Sequence, residues 1–167
     1  FEKGIFVVGV TTKKRTIVKD TTSFSPYYGY PFQYKNQLYF TFNNQIKIFE
    51  NQKIKSVFNF SNGKLQNINN AFCNLGSGLF FSSNFNGKQH FFIKKDLCTT
   101  FTTCLVPEEL KNKIIISVIK HDNLLWFCTN QGVVVCTISG DKITYKDTYL
   151  EKEYITKIIK DKNNNYW

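Results

Sequence analysis

Short runs of β-branched and aromatic residues alternate with turn-forming residues along most of the chain. Between residues 124 and 146 the order is Leu124 to Cys128, Asn130-Gln131-Gly132, Val133 to Ile138, Ser139-Gly140-Asp141, and Ile143 to Lys146. Runs of this length bounded by Gly, Asn, Asp and Ser predict strands joined by hairpins. Asn86-Gly87 is a type I′ hairpin signal, and Asn62-Gly63 marks a second tight turn. A further apolar run precedes each hairpin of this kind, at Phe32 to Tyr34, Ala71 to Cys73, Ile115 to Ile119 and Ile155 to Ile159. Little room is left for helices; VPEELKN, with Glu108 and Glu109, reads as a short turn or helical start.

The hairpins recur at a fixed period. KNQLYFTFNNQIKI, GSGLFFSSNFNGKQHFFI, DNLLWFCTNQGVVV and KNNNYW align on Tyr39, Phe80, Trp126 and Trp167, which are 41, 46 and 41 residues apart. The first residues enter the same frame, because EKGIFVVGVTTKKRTIVKDT parallels NQGVVVCTISGDKITYKDT, with Gly4 on Gly132 and Lys19-Asp20-Thr21 on Lys146-Asp147-Thr148. The frame therefore runs 1–39 (the remainder of one repeat and the next anchor), 40–80, 81–126 and 127–167. The chain starts just after one anchor and stops on another, so it is expected to be a fragment of a larger ring, or to pack against a second copy of itself.

About four strands per 41 to 46 residues is the size and content of a β-propeller blade. The expected fold is thus all-β, a β-propeller of four-stranded antiparallel blades with about four blade equivalents. A lone blade cannot bury both of its faces, so blades stack, and a large aromatic at the same place in each fills the space between sheets. Tyr39, Phe80, Trp126 and Trp167 are accordingly expected as structural anchors. Gly132, six residues after Trp126, is expected to permit the tight turn after the anchor strand.

Composition supports a packed domain: 42% of the 167 residues are apolar and 17% aromatic. No apolar run approaches the roughly 18 residues that a membrane helix needs, and FEKGIFVVGV lacks the layout of a signal peptide. The five cysteines form no C-x-x-C pair, and neither His90 nor His121 stands at ligand spacing from two of them, so no metal site is expected. Most of the cysteines are read as small core residues.

Two stretches, VIKHDNLLWFCTNQGVVV and IIKDKNNNYW, resemble the two-component regulator propeller repeat. Asp122 and Asp161 lie near its Asp, Leu125-Trp126 and Tyr166-Trp167 match its Leu-Trp, Thr129 its Thr, and Gly132-Val133 its Gly-Leu, while Cys128 replaces a glycine. The match is strong over about 114–167 and rests on period elsewhere. The resemblance implies an extracytoplasmic, periplasmic sensor region of a hybrid two-component system in Bacteroidetes-like bacteria, which senses oligosaccharides and signals to a kinase beyond a membrane helix. The membrane is then reached only through segments outside this chain.

The net charge of +10 is uneven: residues 1–95 hold 13 Lys or Arg against 3 Asp or Glu, and residues 96–167 hold 9 of each. The cations are scattered apart from Lys13-Lys14-Arg15, and no nucleic-acid-binding motif accompanies them, so nucleic acid is not the expected partner. An acidic sugar remains a candidate. The stretch SFSPYYGYPFQY places six aromatics in twelve residues on the connection between one blade and the next. Loops there reach the face where propeller ligands enter, and aromatic rings stack on sugar faces. Tyr27, Tyr28, Tyr30 and Arg15 are therefore the candidate ligand-binding residues. Without a G-x-S-x-G elbow, an H-E-x-x-H helix or a glycine-rich phosphate loop, no catalytic residue and no cofactor is expected. A protein-interaction scaffold and a carbohydrate-active enzyme are the alternatives. His121, at a turn, is expected to face solvent.

Overall fold

The computed structural model describes residues 5–8, 15–18, 31–42, 45–51, 53–59, 71–85, 87–163 and 165–167, the first two segments by backbone alone. These residues form fourteen strands and one short helix, in two compact units, 1–62 and 63–167.

In the first unit, β1 (Ile5–Val8) and β2 (Arg15–Val18) form an antiparallel hairpin that pairs Ile5 with Val18 and Val8 with Arg15. Aligning Gly4 on Gly132 and Lys19 on Lys146 would set Ile5 opposite residue 22, so this hairpin has its own register. A four-stranded meander follows: β3 (Phe32–Tyr34), β4 (Gln37–Phe42), β5 (Gln45–Glu50) and β6 (Lys53–Asn59).

The second unit holds two more meanders. One is β7 (Ala71–Asn74), β8 (Gly78–Phe85), β9 (Lys88–Lys95) and β10 (Thr102–Cys104). The other is β11 (Ile115–His121), β12 (Leu124–Thr129), β13 (Gly132–Ser139) and β14 (Lys142–Tyr149). Between them lies α1 (Glu108–Lys111), where Pro107 fixes the entry and Leu110 is fully buried.

The three meanders share one register. Their first hairpins close on Tyr34 with Gln37, Leu75 with Gly78, and His121 with Leu124, each around two residues. In all three the first turn residue has positive φ: Lys35 at 53°, Gly76 at 83° and Asp122 at 53°. That backbone twist matches the twist of the flanking strands, which is why such turns close tight hairpins. Two residues beyond the closing pair stand Tyr39, Phe80 and Trp126, paired on the first strand with Phe32, Cys73 and Ile119 and on the third with Ile48, Ile93 and Val135.

Strand alternation then decides which side chains meet. Leu125 and Phe127 of β12, with Val134 and Cys136 of β13, face the sheet β7–β10 and pack on Phe80, Phe91 and Ile93. The Phe80 and Phe127 rings meet edge to face with centroids 5.7 Å apart, and Phe91 stacks on Phe127 at 5.4 Å. Each such ring, fully removed from water, contributes about 1.5–3 kcal/mol. The other face of β7–β10 carries a second aromatic layer, in which Phe81 contacts Phe72 at 4.6 Å and Phe92 at 5.9 Å.

On the far side of β11–β14, Trp126, Cys128, Val133 and Val135 are covered by Ile155 and Ile158. The chain reaches this position by crossing the end of the β12–β13 hairpin: the Gly132 N–H donates to the Glu153 carbonyl (2.7 Å) and the Ile155 N–H to the Thr129 carbonyl (3.0 Å). A Cβ on Gly132 would stand 2.5 Å from the Tyr149 carbonyl oxygen and 2.7 Å from that of Leu150. Gly132 is therefore required where the outgoing chain crosses it, beyond any service to the turn. The run Ile155 to Ile159, expected as a strand, is not one; Ser117 Oγ donates to the Thr156 carbonyl instead. Only its end is paired, in a small hairpin where Ile159 and Trp167 exchange two main-chain hydrogen bonds of 2.9 Å, one residue further apart in sequence than the paired Ile119 and Trp126. No helix among the described residues is long and apolar enough to cross a membrane.

Candidate binding cleft

The ligand-binding candidates Tyr27, Tyr28 and Tyr30 lie outside the described residues, and Arg15 is placed by its backbone alone, on β2. Of the anchors, Tyr39 and Phe80 are buried and Trp126 is partly covered, whereas Trp167 is 77% exposed. The Tyr39 hydroxyl donates to Gln37 Oε1 at 2.6 Å, which satisfies its polar tip at the sheet rim. Trp126 stacks with Tyr166, at 4.6 Å and 18° between planes, and with Tyr149, at 6.0 Å and 12°. His121 is less open than its place at a turn suggests: its Nδ1 lies 3.1 Å from Asp122 Oδ2, its Nε2 contacts Lys160 Nζ, and its ring meets Tyr166 edge to face.

Asp161 organises the terminal hairpin. It accepts hydrogen bonds from the Asn163 and Asn165 backbone N–H groups and from Trp167 Nε1 (3.0 Å). The Trp167 bond is the largest of the influences that hold its carboxyl at about 2, below the ordinary carboxylate range.

A cleft of about 680 Å³ opens elsewhere, where the turns of the two sheets of the second unit meet. One wall is the β7–β8 turn with Ser77 and Gly78 and the β9–β10 loop from Lys95 to Cys98; the other is the β11–β12 turn with Asp122 and Asn123, joined by Ile138 and Gly140 beside the β13–β14 turn. Leu75, Ile93 and Ile138 give it an apolar floor continuous with the core between the sheets. Leu97, fully exposed at the loop tip, overhangs it. Gly78 is needed in its wall, because a Cβ there would run into the Lys94 carbonyl.

Two lysines stand at this cleft in different states. Lys95 reaches across to Asp141 at 3.1 Å and ties the β9 end to the β13–β14 turn. Lys120 follows Val118 by two residues and so shares the face that looks toward β7–β10, half-buried beside the Cys73 thiol. Burial pushes that thiol up to about 12, with the Lys120 charge offsetting part of the rise. Burial likewise raises Cys136 to about 12 and Cys104 to about 11, so these three thiols are neutral packing groups near pH 7. Cys73, Cys128 and Cys136 are buried, whereas Cys98 is exposed in the cleft wall.

The cleft was not legible in the sequence, since its lining comes from four separate segments and most of it is turn residues with no pattern of their own. In comparisons with known proteins, no family model and no curated protein matches the chain.

Proposed function

We propose that the chain is a run of β-propeller blades and that it serves as the non-catalytic, extracytoplasmic ligand-sensing segment of a two-component regulator, with an oligosaccharide as its cue. The observation that supports the blade reading is the shared register: three four-stranded meanders place Tyr39, Phe80 and Trp126 at the same step beyond equivalent two-residue turns. Two of these sheets stack face to face through an aromatic and aliphatic layer, as blades do. The sensor reading rests on the resemblance of 114–167 to the regulator repeat and on the aromatic-rich stretch 23–34. Fold alone does not carry it.

Titration calorimetry of the chain against neutral and acidic oligosaccharides tests this function. Binding is expected, and it should fall on substituting Tyr27, Tyr28 or Tyr30 by Ala; loss on Arg15→Gln for acidic sugars alone would assign the anionic contact. Absence of binding to any oligosaccharide of the panel would sink the sensor reading.

A second reading, a scaffold for protein partners, is favoured by one observation. Leu150, Tyr154, Ile159 and Trp167, each more than half exposed, crowd into the last eighteen residues, and an apolar surface of this kind often marks an interaction site. Retention of a protein partner together with indifference to sugars would decide for it.

A further inference from the structure

We propose that the cleft between the sheets β7–β10 and β11–β14 binds small carboxylates with an apolar body, the carboxylate pairing with Lys120 and the body lying on Leu75, Ile93 and Ile138. This is a site of its own and does not depend on the sensor reading. Its volume, about 680 Å³, is within the roughly 300–1,000 Å³ of small-molecule sites.

Charge selects the head group. Of the charged groups that line the cleft, Lys95 is engaged by Asp141, Asp122 lies against the His121 ring nitrogen at 3.1 Å, and Asp96 forms no ion pair with Lys120. The Lys120 ammonium has no carboxylate within ion-pair reach among the described residues. A cation that is half out of water, with no carboxylate at ion-pair distance, gains most from a ligand that brings one, because a charge-assisted hydrogen bond is about twice as strong as a neutral one. The Ser77 hydroxyl and the Asn123 amide on the walls can complete the carboxylate's hydrogen bonds.

The floor selects the body. Leu75 and Ile93 are buried among core residues and Ile138 packs against them, so an aliphatic chain entering the cleft would extend an existing apolar layer. No aromatic residue among the described ones lines the cleft. A sugar would find no ring to stack on, which separates this site from the oligosaccharide cue proposed above.

Octanoate and octan-1-ol are matched probes, equal in chain and different in charge. Titrated into the nitrogen-15-labelled chain, octanoate should shift the amides of Leu97, Lys120, Asn123 and Gly140 and saturate, with octanol binding more weakly at the same place. Lys120→Gln should weaken octanoate about tenfold and leave octanol unchanged, the ratio expected for one charge-assisted contact. Lys120→Arg, which keeps the charge, should retain most of the octanoate affinity. Equal binding of the two probes, unchanged octanoate affinity in Lys120→Gln, or shifts confined to residues away from the cleft would overturn the proposal.

Discussion

Phe80 and Trp126 occupy the same register position in successive sheets, yet Phe80 is fully buried and Trp126 is only partly covered. Strand pairing cannot explain this, since each is flanked by two paired strands. The difference lies in what covers each of them. Over Phe80 lies a whole four-stranded sheet, with Phe127, Leu125 and Val134 on its facing side. Over Trp126 lie a few residues of an extended segment and the rings of Tyr149 and Tyr166. An anchor aromatic is thus made a core residue by the neighbouring sheet, whereas its own sheet only aims it.

The largest effect should come from the better-covered anchor. Phe80→Ala removes a ring packed against Phe91 and Phe127 and should cost about 3–5 kcal/mol in urea unfolding, the range for a buried aromatic that leaves a cavity. Trp126→Ala, with less surface withdrawn from water, should cost about 1–3 kcal/mol. Equal costs would erase the contrast between the two anchors.

Two glycines sharpen it from the backbone side. Gly132→Ala should cost about 2–4 kcal/mol, because it combines a φ of +88° with overlap against Tyr149 and Leu150. It should also open residues 150–158 to limited proteolysis. Gly140→Ala, at a φ of +61° with open space around the new methyl, should cost only about 1 kcal/mol. Similar losses at the two sites would mean that the outgoing chain does not rest on Gly132.

The smallest effect belongs to the exposed hairpin. Asp161 has a folded-state pKa near 2, below its ordinary value of 3.8, so its contribution is fully present above about 3.8 and is lost as pH falls through about 2. Trp167 emission should therefore change with a midpoint near pH 2 in a chain whose other tryptophan is replaced by Phe. Asp161→Asn should abolish that transition, and a midpoint near 4 would show that the Trp167 bond does not form.

The hairpins and their register were readable because they are local: turn residues such as Asp122-Asn123 and the alternation around Trp126 fix which residues pair, whatever else the chain does. Three kinds of feature escaped. Ile155 to Ile159 carries β-branched residues, yet the Ile155 N–H is taken by the Thr129 carbonyl and the Thr156 carbonyl by the Ser117 hydroxyl, outside any strand ladder. The second role of Gly132 depends on a segment some twenty residues further on. The cleft is a product of how two sheets meet, and nothing in the spacing of Leu75, Lys120 and Ile138 announces that they line one cleft.

The central claim is that the sheets β7–β10 and β11–β14 stack with Phe80 facing forward and its neighbour in sequence, Phe81, facing back. A nuclear Overhauser spectrum of the chain with carbon-13-labelled phenylalanine rings tests it most directly. Cross-peaks are expected from Phe127 to Phe80 and to Phe91, whose centroids lie 5.7 and 5.4 Å away, and from Phe81 to Phe72 at 4.6 Å. Cross-peaks from Phe127 to Phe81 in place of Phe80 would mean a register slipped by one residue, with every side chain of that sheet on the wrong face, and would contradict the account.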